Sequence, residues 1–110
     1  MGKAKTDLLQ GTLSLIILKI LKSGPAHGWD ITQRIRLLSK DTIGVNDGSL
    51  YPALHRLEAR GLITCEWGAS ENNRKAKFYK LTAAGRKQLD AEWKAWERFS
   101  SALDMILRTA

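Results

Sequence analysis

Residues 6–22 carry two apolar stripes on a stretch whose spacing predicts one helix. Leu9, Leu13, Ile16, Ile17 and Ile20 recur at helical intervals, and Leu8, Leu15, Leu18 and Leu21 form a second stripe. A helix apolar on two sides must be buried on two sides. In a chain of 110 residues, which fits one domain, one side can face its own core and the other needs a second partner. Ser23-Gly24-Pro25 ends the helix, because Gly takes a left-handed cap and Pro cannot continue. The longest apolar run, Leu13 to Leu18, holds Ser14 and is closed by Lys19, far short of the roughly 20 residues a spanning helix needs. The basic start Met1-Gly2-Lys3-Ala4-Lys5 leads into this pattern without an Ala-x-Ala site, so no signal peptide and no membrane partner are expected. The lone Cys65 excludes an internal disulfide framework and a multi-cysteine zinc site, and fits a reducing, cytoplasmic setting.

A second helix is expected from about Ala26 to Ser39, with Ile31, Ile35 and Leu38 inward. Ile43-Gly44-Val45 reads as a short extended piece. A third helix is expected to start between Asp47 and Ser49, with Pro52 in its first turn, and to end at Arg60-Gly61. Leu50, Leu54 and Leu57 are its core stripe. Leu62–Trp67 and Lys75–Leu81 alternate as strands, with Ile63, Cys65 and Trp67 on one face and Gly68–Arg74 as the turn. Thr82 suits the N-cap of a long helix from Ala83 nearly to the end. The expected fold is therefore mainly α with a small β-hairpin, the layout of a winged helix-turn-helix plus a long C-terminal helix. We divide it as residues 1–81, the DNA-binding unit, and 82–110, the dimerisation helix.

Charge supports a polyanionic partner. The net charge is +7, and between Glu71 and Lys87 six cations face Glu71 alone, whereas from Gln88 onward three cations face four acids. With its leucines inward, the third helix turns Ser49, Pro52, His55, Arg56 and Ala59 outward, with Tyr51 at the margin. Ser49 and Tyr51 suit phosphate contacts, while His55 and Arg56 are long enough for base edges. A solvated helix surface, with Arg56 paired to Glu58 or Glu66, is the alternative. Arg74, Lys75 and Lys77 on the hairpin are expected to meet the DNA backbone.

At these residues the chain resembles a known family. Gly48-Ser49-Leu50-Tyr51-Pro52-Ala53-Leu54-His55-Arg56-Leu57-Glu58-Ala59-Arg60-Gly61-Leu62-Ile63 is similar to the signature of the PadR transcriptional regulators. Ala26-His27-Gly28-Trp29-Asp30-Ile31, Arg74 to Leu81 and Leu81-Thr82-Ala83-Ala84-Gly85-Arg86 match in order, although Trp29 stands where the family commonly has Tyr. The resemblance covers roughly Leu9 to Trp96. It implies a cytoplasmic, homodimeric DNA-binding protein, usually a repressor and often released by a small molecule, in the short form with one C-terminal helix.

On that last helix Leu89, Trp93, Trp96, Ser100, Leu103 and Leu107 step by 4, 3, 4, 3 and 4, a seam of period 3.5 widened by Phe99 and Ile106. No later residues of the chain are there to cover it, so a second copy is the natural cover, with Leu89, Trp93, Trp96, Leu103 and Leu107 as dimer contacts. Trp93 and Trp96 could also flank a gap for a planar aromatic effector, with Glu92 or Glu97 near for a cationic one, or could simply pack the dimer. No cofactor or metal is expected. His27, His55 and Cys65 lack close ligand spacing, Ser49 is not in a Gly-x-Ser-x-Gly turn, and no phosphate-binding glycine loop occurs, so an enzyme is not expected. The leading expectation is a ligand-responsive repressor on a pseudo-palindromic operator. A winged protein-interaction module, or a DNA-binding regulator without an effector, remains open.

Overall fold

A computed structural model describes residues 2–109, with side chains from Gly11 onward and at Leu9. The order is α1 (Gly2–Lys22), β1 (Ala26–His27), α2 (Gly28–Leu38), α3 (Asp47–Ala59), β2 (Ile63–Ala69), β3 (Lys75–Leu81) and α4 (Ala83–Thr109). No described helix is long and apolar enough to cross a membrane. The side chain of Leu8, expected in the second stripe of α1, lies outside the described residues.

Among the described residues of α1, most of both apolar stripes is buried within the chain. Leu13, Ile17, Leu18, Ile20 and Leu21 are buried with Ile31 and Ile35 of α2, Leu50, Leu54 and Leu57 of α3, and Tyr79 and Leu81 of β3. Leu15 and Ile16 stay half-buried beside α4. Full burial of each such side chain contributes about 1.5–3 kcal/mol, so the seven largest fully enclosed ones, Leu50 and Leu54 among them, dominate the fold.

Two expectations about α2 need correction. Ala26 and His27 do not open the helix; they form a strand antiparallel to β3, Ala26 opposite Tyr79 and His27 opposite Phe78, giving a sheet of order β1-β3-β2. Two residues are too few to show alternation, so only the partner strand reveals them. His27 then caps α2 as its Nδ1 accepts the Asp30 N–H at 3.2 Å, satisfying a donor that the helix leaves open. Leu38, expected inward, is 72% exposed. The last turn of α2 outruns the core and reverses through Lys40 and Asp41, both at positive φ, leaving Leu38 at the rim of an open groove. Ile43 and Val45 pack against the core without forming a strand.

For α3, the cap is Asn46, whose Oδ1 accepts the Ser49 N–H at 2.9 Å. Pro52 is the sixth residue and lies in the second turn, not the first. There it removes the N–H that would reach the Gly48 carbonyl, a loss that water can offset because Gly48 is exposed. Gly61 at φ +73° closes the helix, with its N–H on the Glu58 carbonyl and the Leu62 N–H on the Leu57 carbonyl. The hairpin follows in register, Ile63 opposite Leu81 and Trp67 opposite Lys77. β2 runs two residues beyond the expected Trp67, which shortens the turn to Ser70–Arg74 around Asn73 at φ +56°.

Thr82 performs the expected capping and more. Its Oγ1 accepts the Gly85 N–H at 3.0 Å and donates toward the carbonyls of Gly61 and Leu62. One hydroxyl thus ties the end of α3, the root of β2 and the start of α4. Leu89 joins the core at 5% exposure, so the start of α4 shares the core of the preceding elements.

Candidate nucleic-acid interface

The burial pattern of α3 separates its two faces cleanly. Leu50, Ala53, Leu54 and Leu57 are buried, while Pro52, His55, Arg56 and Ala59 are exposed and Ser49 is half-buried. Arg56 takes neither Glu58 nor Glu66. Ion pairs among the described residues are Arg36–Asp41 at 3.4 Å and Arg108–Asp104 at 2.7 Å, and Glu58 instead accepts the Cys65 thiol at 3.1 Å. That bond, followed by burial, pushes the Cys65 thiol above its ordinary value, opposed in part by the Lys77 ammonium beside it.

Residues paired across β2 and β3 share a face, so one face carries Ile63, Cys65 and Trp67 with Leu81, Tyr79 and Lys77. Ile63, Tyr79 and Leu81 lie in the core, Cys65 and Lys77 are half-buried, and Trp67 is exposed. As the hairpin leaves the body, the same face changes from core to the wall of a cleft. Burial of Tyr79 at its base pushes the phenol pKa up. The cleft, of about 640 Å³, lies between the start of α2, α3 and the hairpin. It brings together Tyr51, His55, Arg74, Lys75 and Lys77. Ser49 and Arg56 lie outside it, on the rest of the outward face of α3.

Tyr51 reaches this position because α2 begins with glycine. A Cβ on Gly28 would stand 2.2 Å from the Tyr51 Oη and 2.8 Å from its Cζ. The small residue lets the Tyr51 ring lie across the first turn of α2.

The sequence-predicted seam of α4 divides. Leu89 is used by its own chain, so the free stripe begins at Trp93. Trp93 and Trp96 are 51% and 37% exposed and line a groove of about 580 Å³ with Leu15 and Ile16 of α1 and Leu38 of α2. Leu103 and Leu107 lie further out, exposed, with Phe99 and Ile106. Glu92 is partly tied down, accepting Gln88 Nε2 at 2.7 Å and Ser14 Oγ at 3.5 Å, and Glu97 lines neither this groove nor the smaller one beside Trp96. Asp90 and Lys19 are the charged groups at the larger groove together with Lys22.

Trp29 and Trp67 also line the cleft, although neither belongs to the basic stretch or to the outward face of α3. The sequence marks them only by position, one tryptophan in the first turn of the expected second helix and one closing the expected first strand.

Three helices, a hairpin packed on the third, and a basic cleft between them define a winged helix-turn-helix DNA-binding protein. Residues 17–91 match the family model described as the transcriptional regulator PadR-like family, and the chain belongs to that family. It is 35% identical over 94 residues to a transcriptional regulator of Mycobacterium tuberculosis, covering 86% of this chain and 84% of the relative. A transcriptional regulator from Clostridium thermocellum superposes with a TM-score of 0.82 at 28% identity, covering 89% of this chain and 95% of that one. A PadR-like transcriptional regulator from Bacillus cereus gives 0.79 at 28% identity, covering 92% and 96%.

Proposed function

We propose that this PadR-like regulator is a cytoplasmic homodimeric repressor that binds a pseudo-palindromic operator and responds to a small molecule. The observation that carries its DNA contact is the cleft, where Tyr51 and His55 of α3 stand beside the cations Arg74, Lys75 and Lys77. In this reading α3 enters the major groove, His55 and Arg56 meet base edges, Ser49 and Tyr51 donate to phosphates, and the wing cations follow the backbone.

Dimerisation is supported by the apolar stripe Trp93, Trp96, Phe99, Leu103, Ile106 and Leu107, which α4 leaves exposed. A second copy covering it by two-fold symmetry sets the reading helices at half-sites about 10 base pairs apart. A planar aromatic effector is supported by the groove at Trp93 and Trp96, which has apolar walls from Leu15 and Ile16. Release follows if the effector favours one spacing of the two reading helices over the other.

Salt-series titrations on specific and scrambled duplexes test the DNA assignment. Lys75→Ala is expected to weaken all duplexes alike and make the log–log salt slope shallower by about one. Arg56→Ala or His55→Ala is expected to relax preference at one operator position at a cost of about 1–3 kcal/mol. The reverse pattern overturns the roles given to wing and helix. Footprints without two-fold symmetry count against the palindromic operator, and tryptophan emission indifferent to a panel of flat aromatics counts against the effector.

A further inference from the structure

We infer that Trp29 and Trp67 form an aromatic clamp in which one sugar–phosphate strand of the DNA lies. This rests on the proposed DNA-facing role of the cleft and names two residues that the wing-and-helix reading leaves idle.

Trp29, the second residue of α2, is 67% exposed, and Trp67, on β2, is 62% exposed. Isolated surface aromatics need no explanation. These two, however, line one cleft, Trp29 from the start of α2 and Trp67 from the hairpin. Both are held by neighbours. The Trp29 ring lies 6.4 Å from the His27 ring, which packs edge-on against Phe78 at 5.3 Å. The Lys75 ammonium sits 5.5 Å from the centre of the Trp67 ring.

The chemistry of the walls chooses the occupant. An indole offers a flat apolar face and one N–H donor. Deoxyribose presents an apolar face, and the adjoining phosphate an acceptor. Arg74, Lys75 and Lys77 on the hairpin wall outnumber Asp30 and Glu71 at the cleft, which favours a polyanionic strand over a neutral or cationic ligand. A lysine held over Trp67 keeps its ammonium at the cleft while leaving N–H groups to turn toward phosphate. The cleft is also continuous with the outward face of α3 through His55.

Because an indole carries no charge, the clamp has a signature distinct from that of the wing cations. Trp29→Ala and Trp67→Ala should each weaken binding on the order of tenfold, on specific and scrambled duplexes alike, with the salt slope unchanged. Both positions are solvent-facing, so thermal melts should match the wild type. Duplex should also protect the wild-type protein from acrylamide quenching. That protection should shrink in Trp29→Phe and in Trp67→Phe, and most in the double variant. The clamp is overturned if either alanine variant binds as the wild type does, or if the double phenylalanine variant keeps the full protection. Should the wild type bind no duplex at all, the DNA reading of the cleft fails, and the clamp with it.

Discussion

The hydroxyl of Tyr51 stands 2.2 Å from where a Cβ on Gly28 would lie, so the first residue of α2 is the seat of a side chain from α3. The contact couples the relative placement of two helices that line the cleft. Replacing Gly28 with Ala pushes against the far end of a side chain that is already partly exposed and can swing outward. The expected cost is therefore modest, about 1–2 kcal/mol. The Gly28→Ala penalty should nearly vanish when Tyr51 is also Ala, which a double-mutant cycle by urea denaturation measures. An equal penalty in both backgrounds would remove Tyr51 as the cause.

Gly85 presents the opposite case. A Cβ there would meet the Leu62 carbonyl oxygen at 2.1 Å and Leu81 Cδ1 at 2.7 Å. The oxygen is backbone, already engaged by Thr82, and cannot rotate away. Gly85→Ala is expected to destabilise by about 3 kcal/mol or more. Gly44→Ala, with nothing within 4 Å, should stay within about 0.5 kcal/mol. Chemical denaturation of both variants compares them directly, and similar midpoints would show that α4 and β2 are free to separate.

Leu103, 40% exposed on α4, tests the proposed seam without touching the core. Leu103→Asp places a carboxylate where a partner would desolvate it. Sedimentation should shift the protein toward the 12.3 kDa monomer while its helix content by circular dichroism is retained. A variant that sediments as the wild type would move the interface elsewhere.

Cys65 should be a poor nucleophile despite its half-exposed position. Glu58 accepts the thiol hydrogen and burial adds to the effect, so the thiol pKa is raised and the thiolate is scarce at neutral pH. A raised pKa on an acid means that the folded state holds the proton more tightly than the unfolded chain. Folding therefore loses stability as pH climbs above the ordinary thiol value, and not below it. Iodoacetamide should react with Cys65 more slowly than with a free thiol at pH 8. Glu58→Gln should speed the reaction and move its pH–rate profile to lower pH. A profile unmoved by that substitution would assign the shift to burial alone.

Much of the architecture is legible locally. The stripe Leu50–Leu54–Leu57, Gly61 after α3, the β3 bounds and the Thr82 cap all depend on spacing or on one residue's backbone preference, and the chain carries such information within a few positions. The candidate site is legible only in part. Its cations and the outward face of α3 follow from pattern, but Trp29 and Trp67 become neighbours of one cleft only when the hairpin folds back beside α2.

The amino-acid sequence by itself determined the helices, the hairpin, the basic bias and the family, because periodicity, caps and a long contiguous motif are properties of order along the chain. The tertiary structure alone decided that Ala26 and His27 become a strand, that Leu38 faces out, that Leu89 faces in, and that Tyr51 rests on Gly28. Those outcomes depend on which surfaces meet across long sequence separations. A two-residue strand exists only because β3 offers it a hydrogen-bonding edge, and a leucine on an apolar stripe is buried only where another element arrives to cover it.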